Sequence, residues 1–210
     1  MSSYPYEGKK RTIDLLRHGD TGGAKLLGVT DEPLSELGLQ QMKAVHVNKE
    51  LKWEKIVSSP LVRCQSFAQA LSSTLSLELQ LEAGFEEINF GQWDGQLLTD
   101  LYTGVQSEQV KRFMLSPDSE SPPGGESYDH FRQRVMTAWQ ALLDSLYEED
   151  ITHCLLVTHA GVIRTIISDI LGIPNTSLFK LEVPHACLTR IKQYERYSPV
   201  LHFHNGNLYQ

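Results

Sequence analysis

Three observations predict an α/β fold in three layers, with helices on both faces of a mainly parallel central sheet. Short apolar runs alternate with stretches of helical periodicity along most of the chain. The run from Cys154 to Val157 is apolar at every position, as a strand buried on both faces requires. Two such runs lead into a histidine, His18 and His159, and open parallel sheets place ligands beside the C-terminal ends of their strands.

Thr12 to Leu16 reads as the first strand and runs straight into Arg17-His18-Gly19, where the glycine suits a tight turn. Ser35 is placed to cap a helix with Leu39, Met42 and Val45 on one side. Lys55 to Ser58 is the next strand, ending at Ser58-Ser59-Pro60 close to Arg63. Leu61 to about Leu75 is helical in pattern, Leu77 to Leu81 fits a strand, and 84–95 mixes glycine, acid and aromatic residues without a period, as functional loops do. Short helices fit 97–115. The stretch 116–125 holds three prolines and two glycines, suits no regular element and reads as a flexible insertion.

Ser127 can cap a long helix on which Phe131, Val135, Trp139, Leu142 and Leu146 recur at helical spacing. After the strand at 154–157, a helix carrying Ile163, Ile166, Ile167 and Ile170 stops at Leu171-Gly172-Ile173-Pro174. Ala186 to Ile191 and Val200 to His204 supply two closing strands. No repeat or linker divides the chain, so the expected organisation is one domain over 1–210, with a loop region at about 96–126 over the active site.

With 210 residues, 40% of them hydrophobic, the chain can bury one substantial core. Its net charge of -7, with basic residues scattered, excludes a general nucleic-acid surface, so an anionic substrate must be met by a few local cations. Neither a signal-like leader nor an apolar run of bilayer length is present, and the expectation is a soluble cytoplasmic protein without a membrane partner. Cys64, Cys154 and Cys187 are odd in number, far apart and without metal spacing, which fits reduced packing thiols. His202 and His204 share one side of a strand but lack a third ligand, so no metal site is assigned.

Four segments then occur in order: Arg17-His18-Gly19-Asp20-Thr21, Ser58-Ser59-Pro60-Leu61-Val62-Arg63, Glu87-Ile88-Asn89-Phe90-Gly91-Gln92-Trp93-Asp94-Gly95, and Thr158-His159-Ala160-Gly161. Together they resemble the histidine phosphatase superfamily, which includes the cofactor-dependent phosphoglycerate mutases; order and spacing carry the resemblance more than any one tripeptide. It implies a phosphoglycerate mutase-like fold, no metal and no dissociable cofactor. It implies that His18 attacks phosphorus, its second ring nitrogen held by the Gly19 carbonyl, and that Arg17 and Arg63 present donor forks to the phosphoryl oxygens. It makes His159 a further phosphoryl ligand, most effective as a cation, and Glu87 the acid that protonates the leaving group and then activates water. Glu86 is adjacent, but the family's acid-to-glycine spacing reaches Gly91 from Glu87 only.

Thr21, Gly22, Gly23 and Ala160 are expected to line the pocket. Ser59 and Thr158 are weaker candidates for orienting phosphate, and Arg164, Trp93 and Glu126 are divided between pocket lip and packing. Where many relatives carry an asparagine that helps bind the phosphoryl group, this chain has Ala24, and backbone N–H groups of the glycine turn are the expected substitute.

The segment following the acid and its short interval to Pro123-Gly124-Gly125-Glu126 are similar to the phosphatase branch, and within it to bacterial α-ribazole phosphatases. The expected reaction is hydrolysis of a small-molecule phosphate ester, α-ribazole 5'-phosphate of cobalamin biosynthesis being one candidate. The alternatives are a phosphoglycerate mutase, a sugar-phosphate phosphatase and a non-catalytic binding module. The oligomeric state is left open, a homodimer included.

Overall fold

The structure, a computed structural model, describes residues 9–46, 52–195 and 197–205. Its strands are β1 (Lys10–Arg17), β2 (Lys55–Ser58), β3 (Leu79–Leu81), β4 (His153–Thr158), β5 (Leu188–Tyr194) and β6 (Val200–His204). The helices are α1 (Glu36–His46), α2 (Val62–Leu75), α3 (Leu98–Thr103), α4 (Ser107–Leu115), α5 (Tyr128–Glu148) and α6 (Ala160–Leu171). One six-stranded sheet runs in the order β3-β2-β4-β1-β5-β6, with β1 to β4 parallel and β5 and β6 antiparallel to their neighbours. This is the mostly parallel α/β fold that the sequence predicts.

Strand alternation divides the core. Ile13 and Leu15 of β1 pack with Phe131, Val135 and Trp139 of α5 and Val162, Ile163 and Ile166 of α6. Leu16, on the other face, joins Met42 of α1 and Cys64, Phe67 and Leu71 of α2. Each such fully buried side chain contributes about 1.5–3 kcal/mol. Asp14 interrupts this second face: it is fully buried and accepts from Arg190 Nε (2.7 Å) and Nη2 (2.9 Å), Trp53 Nε1 (2.9 Å) and His153 Nε2 (2.8 Å). Burial alone would raise its pKa; the hydrogen bonds from His153 and Arg190 hold it below the usual carboxylate value instead.

Several boundaries differ from the sequence expectation for identifiable reasons. β3 is shorter than Leu77 to Leu81 because Leu77 closes the end of α2, its N–H bonding Ser72 O and its carbonyl accepting from Ser72 Oγ. The cap of α2 comes from a distant residue: Leu61 offers no side-chain cap, and Asp31 Oδ1 accepts from Val62 N at 2.7 Å. β5 begins at Leu188, not Ala186, because Ala186 takes up a left-handed turn with φ of 53°.

The stretch 116–125, expected to be a free insertion, is tied to the loop before it. Gln92 N donates to Pro123 O (2.9 Å) and Glu126 N to Asn89 O (2.8 Å). Upstream, Val110 and Phe113 of α4 are buried in the main core. His202 and His204 are engaged within the sheet edge, with Lys192 Nζ and with Thr189 and the Glu182 carbonyl respectively. No described helix is long and apolar enough to cross a membrane.

Candidate active site

Sheet register assembles the site. β4 lies between β1 and β2, with Arg17 opposite Thr158 and Ser58 opposite Val157. The chain therefore leaves three adjacent strands side by side, as His18, Ser59 and His159, and the turns are stitched by His18 N to Thr158 O and Ser59 N to Val157 O, each 3.0 Å. Gly19 is required here by close approach: an added Cβ would overlap the carbonyl of Gly38 in the first turn of α1.

His18 Nδ1 lies 2.8 Å from the Gly19 carbonyl oxygen. A carbonyl only accepts, so Nδ1 carries the hydrogen and Nε2 keeps a free lone pair. Burial, then the cations of Arg17 and Arg63, hold the His18 pKa well below its ordinary value and keep the ring neutral. The ring lies on a cleft of about 390 Å³ whose polar wall includes Arg17, His18, Glu87, Arg164 and His185, with Leu26, Leu98, Met114 and Phe179 among its apolar lining.

Arg17 gives Nη1 to the Val183 carbonyl (2.6 Å), while its buried Nε has no hydrogen-bond partner among the described residues. A buried donor left unsatisfied costs about 1–3 kcal/mol, which an anion in the cleft would offset. Burial brings the Arg17 pKa down to about 10, against the pull of Glu87, so the group remains a cation at neutral pH.

Glu87 is 7% exposed and reaches the same cleft. Gly161 N, at the start of α6, donates to its Oε2 (2.9 Å) and Ile88 N to its Oε1 (3.1 Å), while an added Cβ on residue 161 would overlap the carboxylate. The loop that carries Glu87 is held by Arg134 of α5, which donates to the carbonyls of Gly84 (3.2 Å), Glu86 (2.9 Å) and Glu87 (3.0 Å). The same guanidinium pairs with Glu126 through Nε to Oε1 (2.8 Å) and Nη2 to Oε2 (2.9 Å). Arg134→Met is expected to cost about 2 kcal/mol by leaving a largely buried Glu126 carboxylate uncompensated, and to lower kcat about 100-fold by releasing the Glu87 loop. Urea unfolding and phosphate-release assays check the two effects, and adding Glu126→Gln should restore stability without restoring rate.

His159 and Arg63 differ from the sequence expectation. Both are fully buried behind His18, with the His18 and His159 ring centroids 5.3 Å apart. Arg63 does not present a free fork: Nη1 bonds Thr30 O (2.9 Å), Nη2 bonds Gly28 O (2.5 Å) and Nε points at His159 Nδ1 (3.3 Å). That last contact needs a lone pair on Nδ1, so His159 is neutral, not cationic, and its Nε2 donates to Ser59 Oγ (2.8 Å). Burial and the Arg63 charge hold its pKa well below the ordinary value.

Two neutral buried histidines make the fold acid-sensitive. The unfolded chain takes up their protons below about pH 6.5 and the folded chain does not, so stability falls as pH drops, by about 1.4 kcal/mol per pH unit for each. Denaturant melts at pH 7 and 5.5 are expected to show this loss, with a smaller loss in His159→Asn.

Of the other sequence candidates, Thr21, Gly23 and Ala160 line the cleft, as does Arg164, whose Nε bonds Leu181 O at 2.9 Å. Gly22 is not on that wall and instead forms the turn, with φ of 81° and its N–H on Asp20 Oδ2 (2.8 Å). Trp93 is core, edge-on to Phe113, and Glu126 is the partner of Arg134. Thr158 Oγ1 is committed to Phe85 O (2.9 Å). Ala24 lies on the cleft wall.

Three residues had no role in the sequence reading, although Asp94 lies within the Glu87–Gly95 motif. Arg134 shows only as one polar position on an amphipathic helix. Asp94 accepts from the N–H groups of Gly28 (3.1 Å), Val29 (2.8 Å) and Thr30 (3.1 Å), ordering the loop whose carbonyls hold Arg63. His185 enters the cleft 5.8 Å from the His18 ring, centroid to centroid, and its position before a strand was the only available signal.

A family model described as histidine phosphatase superfamily (branch 1) matches residues 13–206. An adenosylcobalamin/alpha-ribazole phosphatase of Salmonella typhimurium is 26% identical over 182 residues, covering 84% of this chain and 88% of that protein. A probable phosphoglycerate mutase GpmB of Yersinia pestis is 26% identical over 188 residues, covering 87% and 85%. Among solved structures, a mycobacterial glucosyl-3-phosphoglycerate phosphatase superposes with a TM-score of 0.80 at 25% identity, over 94% of this chain and 99% of that one.

Proposed function

Because the chain belongs to branch 1 of the histidine phosphatase superfamily and is a phosphatase, we propose that it hydrolyses small phosphomonoesters through a phosphohistidine formed on His18. The observation that carries this reading is the His18–Gly19 hydrogen bond, which leaves a nucleophilic Nε2 lone pair on the cleft that Arg17 also lines, its Nε without a hydrogen-bond partner among the described residues. The reading takes residues 1–210 as one domain whose 96–126 segment walls the cleft through Leu98 and Met114.

In the first half-reaction Nε2 of His18 bonds phosphorus as the P–O bond to the leaving group breaks, and the Glu87 carboxyl gives its proton to the departing oxygen. Arg17 donates to the equatorial oxygens as their charge grows, and the Gly19 carbonyl stabilises the cationic phosphorylated ring through Nδ1–H. In the second, Glu87 takes a proton from water, the water oxygen attacks phosphorus, the P–N bond breaks, and phosphate leaves with His18 neutral again. Arg63 and His159 act from behind: Arg63 fixes the His159 tautomer and lends its charge to the site.

α-Ribazole 5'-phosphate is the first substrate to test. It carries an aromatic base on its sugar, and Leu26, Leu98, Met114 and Phe179 offer that base an apolar wall; the named activity of the Salmonella relative supports the same choice. A phosphate-release screen with chelator present, over α-ribazole 5'-phosphate, sugar phosphates and phosphoglycerates, is expected to show turnover that His18→Ala removes. Isomerisation of phosphoglycerate dependent on a bisphosphate primer, with no net phosphate release, would replace this reading with a mutase.

A further inference from the structure

The turn before β5 carries an imidazole into the cleft that none of the four motifs contains. β5 is antiparallel to β1, with Leu188 opposite Leu16, so the start of β5 lies at the same sheet edge as His18. The turn is fastened to the His18 segment by Ala186 N to His18 O (3.2 Å) and Arg17 N to Cys187 O (3.0 Å), and is closed by Cys187 N to Pro184 O (3.1 Å). Ala186 is held at φ of 53°, a conformation that costs a residue with a Cβ about 1 kcal/mol or more and persists where the surroundings impose it. His185 is therefore a rigidly aimed side chain, one-third exposed, on the wall of the cleft.

Its surroundings suit an anion. Nδ1 lies 3.9 Å from Asp20 Oδ1, while Asp20 Oδ2 is committed to Ser35 Oγ (2.6 Å) and Gly22 N (2.8 Å). Those hydrogen bonds keep the Asp20 carboxyl below its ordinary pKa, so it stays ionised beside the ring. Arg17 and His18 flank His185 from β1 and the turn after it, and Glu87, Arg164 and Lys25 share the cleft wall. Resting on the reading that this cleft takes a phosphate ester, we propose that His185 is a further ligand of the phosphoryl group. As an imidazolium with Asp20 as counter-ion, it supplies the side-chain donor that is absent at Ala24.

Linkage gives the proposal a direction with pH. Burial, followed by the Arg17 cation, holds the His185 pKa below its ordinary value, against the pull of Asp20. A bound dianion offsets Arg17 and raises that pKa, so binding takes up a proton and strengthens as pH falls through the histidine range. A charge-assisted hydrogen bond of this kind corresponds to about tenfold in affinity.

The test is calorimetric titration with sulfate, a dianion at every pH used and not a substrate. The parent protein should bind about tenfold more tightly at pH 6 than at pH 8, His185→Ala should lose about tenfold at pH 6, and His185→Gln should lose most of the pH dependence while keeping a donor. His185→Ala with the parent's melting temperature and parental affinity at pH 6 would overturn the proposal. Should that variant not fold, parental pH dependence in His185→Gln would overturn it instead. Because sulfate is not turned over, His185-dependent binding without any phosphatase activity would defeat the proposed function and leave this assignment standing.

Discussion

In the His18→Ala protein, phosphate release from p-nitrophenyl phosphate is expected to fall on the order of 10⁴-fold or more, with little change in melting temperature. The size of the effect follows from the arrangement. Within this account His18 supplies the lone pair that attacks phosphorus, and removing it leaves the charge of Arg17 and the acid of Glu87 with nothing to assist. A smaller loss, below about 100-fold, would be the signature of water attacking directly with Glu87 as its base. Stability should change little because, among the described residues, the ring's one hydrogen bond is to Gly19 and the ring lies on the wall of the cleft.

Glu87→Gln is expected to behave differently with different leaving groups. An alkyl phosphate needs a proton on its departing oxygen, so its turnover should fall by about 10²–10⁴-fold. Nitrophenolate leaves without one, so the first half-reaction should survive and the second, which needs a base to activate water, should not. The expected result is a burst of nitrophenolate close to one equivalent of enzyme, followed by a slow steady state. The amide can still accept from Gly161 N, which keeps the loop in place. Equal slowing of aryl and alkyl esters with no burst would remove Glu87 from the acid–base role.

Much of this was legible in the sequence because the chemistry sits on short segments at strand ends. The apolar run before Arg17-His18, and its counterpart before His159, specify both the strands and the edge at which their histidines emerge. The tautomer of His18 follows from a neighbour one residue away, so the local motif contains it.

What was not legible depends on contacts between distant segments. Arg63 was expected to face the ligand, yet it is fully buried, with one Nη donor on each of the carbonyls of Gly28 and Thr30, and those carbonyls are presented by a loop that Asp94 orders. His159 would serve the phosphoryl group best as a cation, a state that the Arg63 Nε–H aimed at its ring excludes. Arg134 acts through backbone carbonyls about 50 residues away, a partner type that leaves no mark on residue identity. His185 joins the cleft only because β5 runs antiparallel to β1, and pairing direction is a property of the assembled sheet.

The central claim is a covalent phosphoryl group on His18, and trapping it is the most direct test. Glu87→Gln is mixed with p-nitrophenyl phosphate, quenched in alkali, where phosphohistidine survives, and digested for peptide mass mapping. The account requires up to one phosphoryl group per chain, lost on acid treatment and located on the peptide containing His18. A burst with no phosphorylated peptide, or a phosphoryl group found on any other residue, would contradict it.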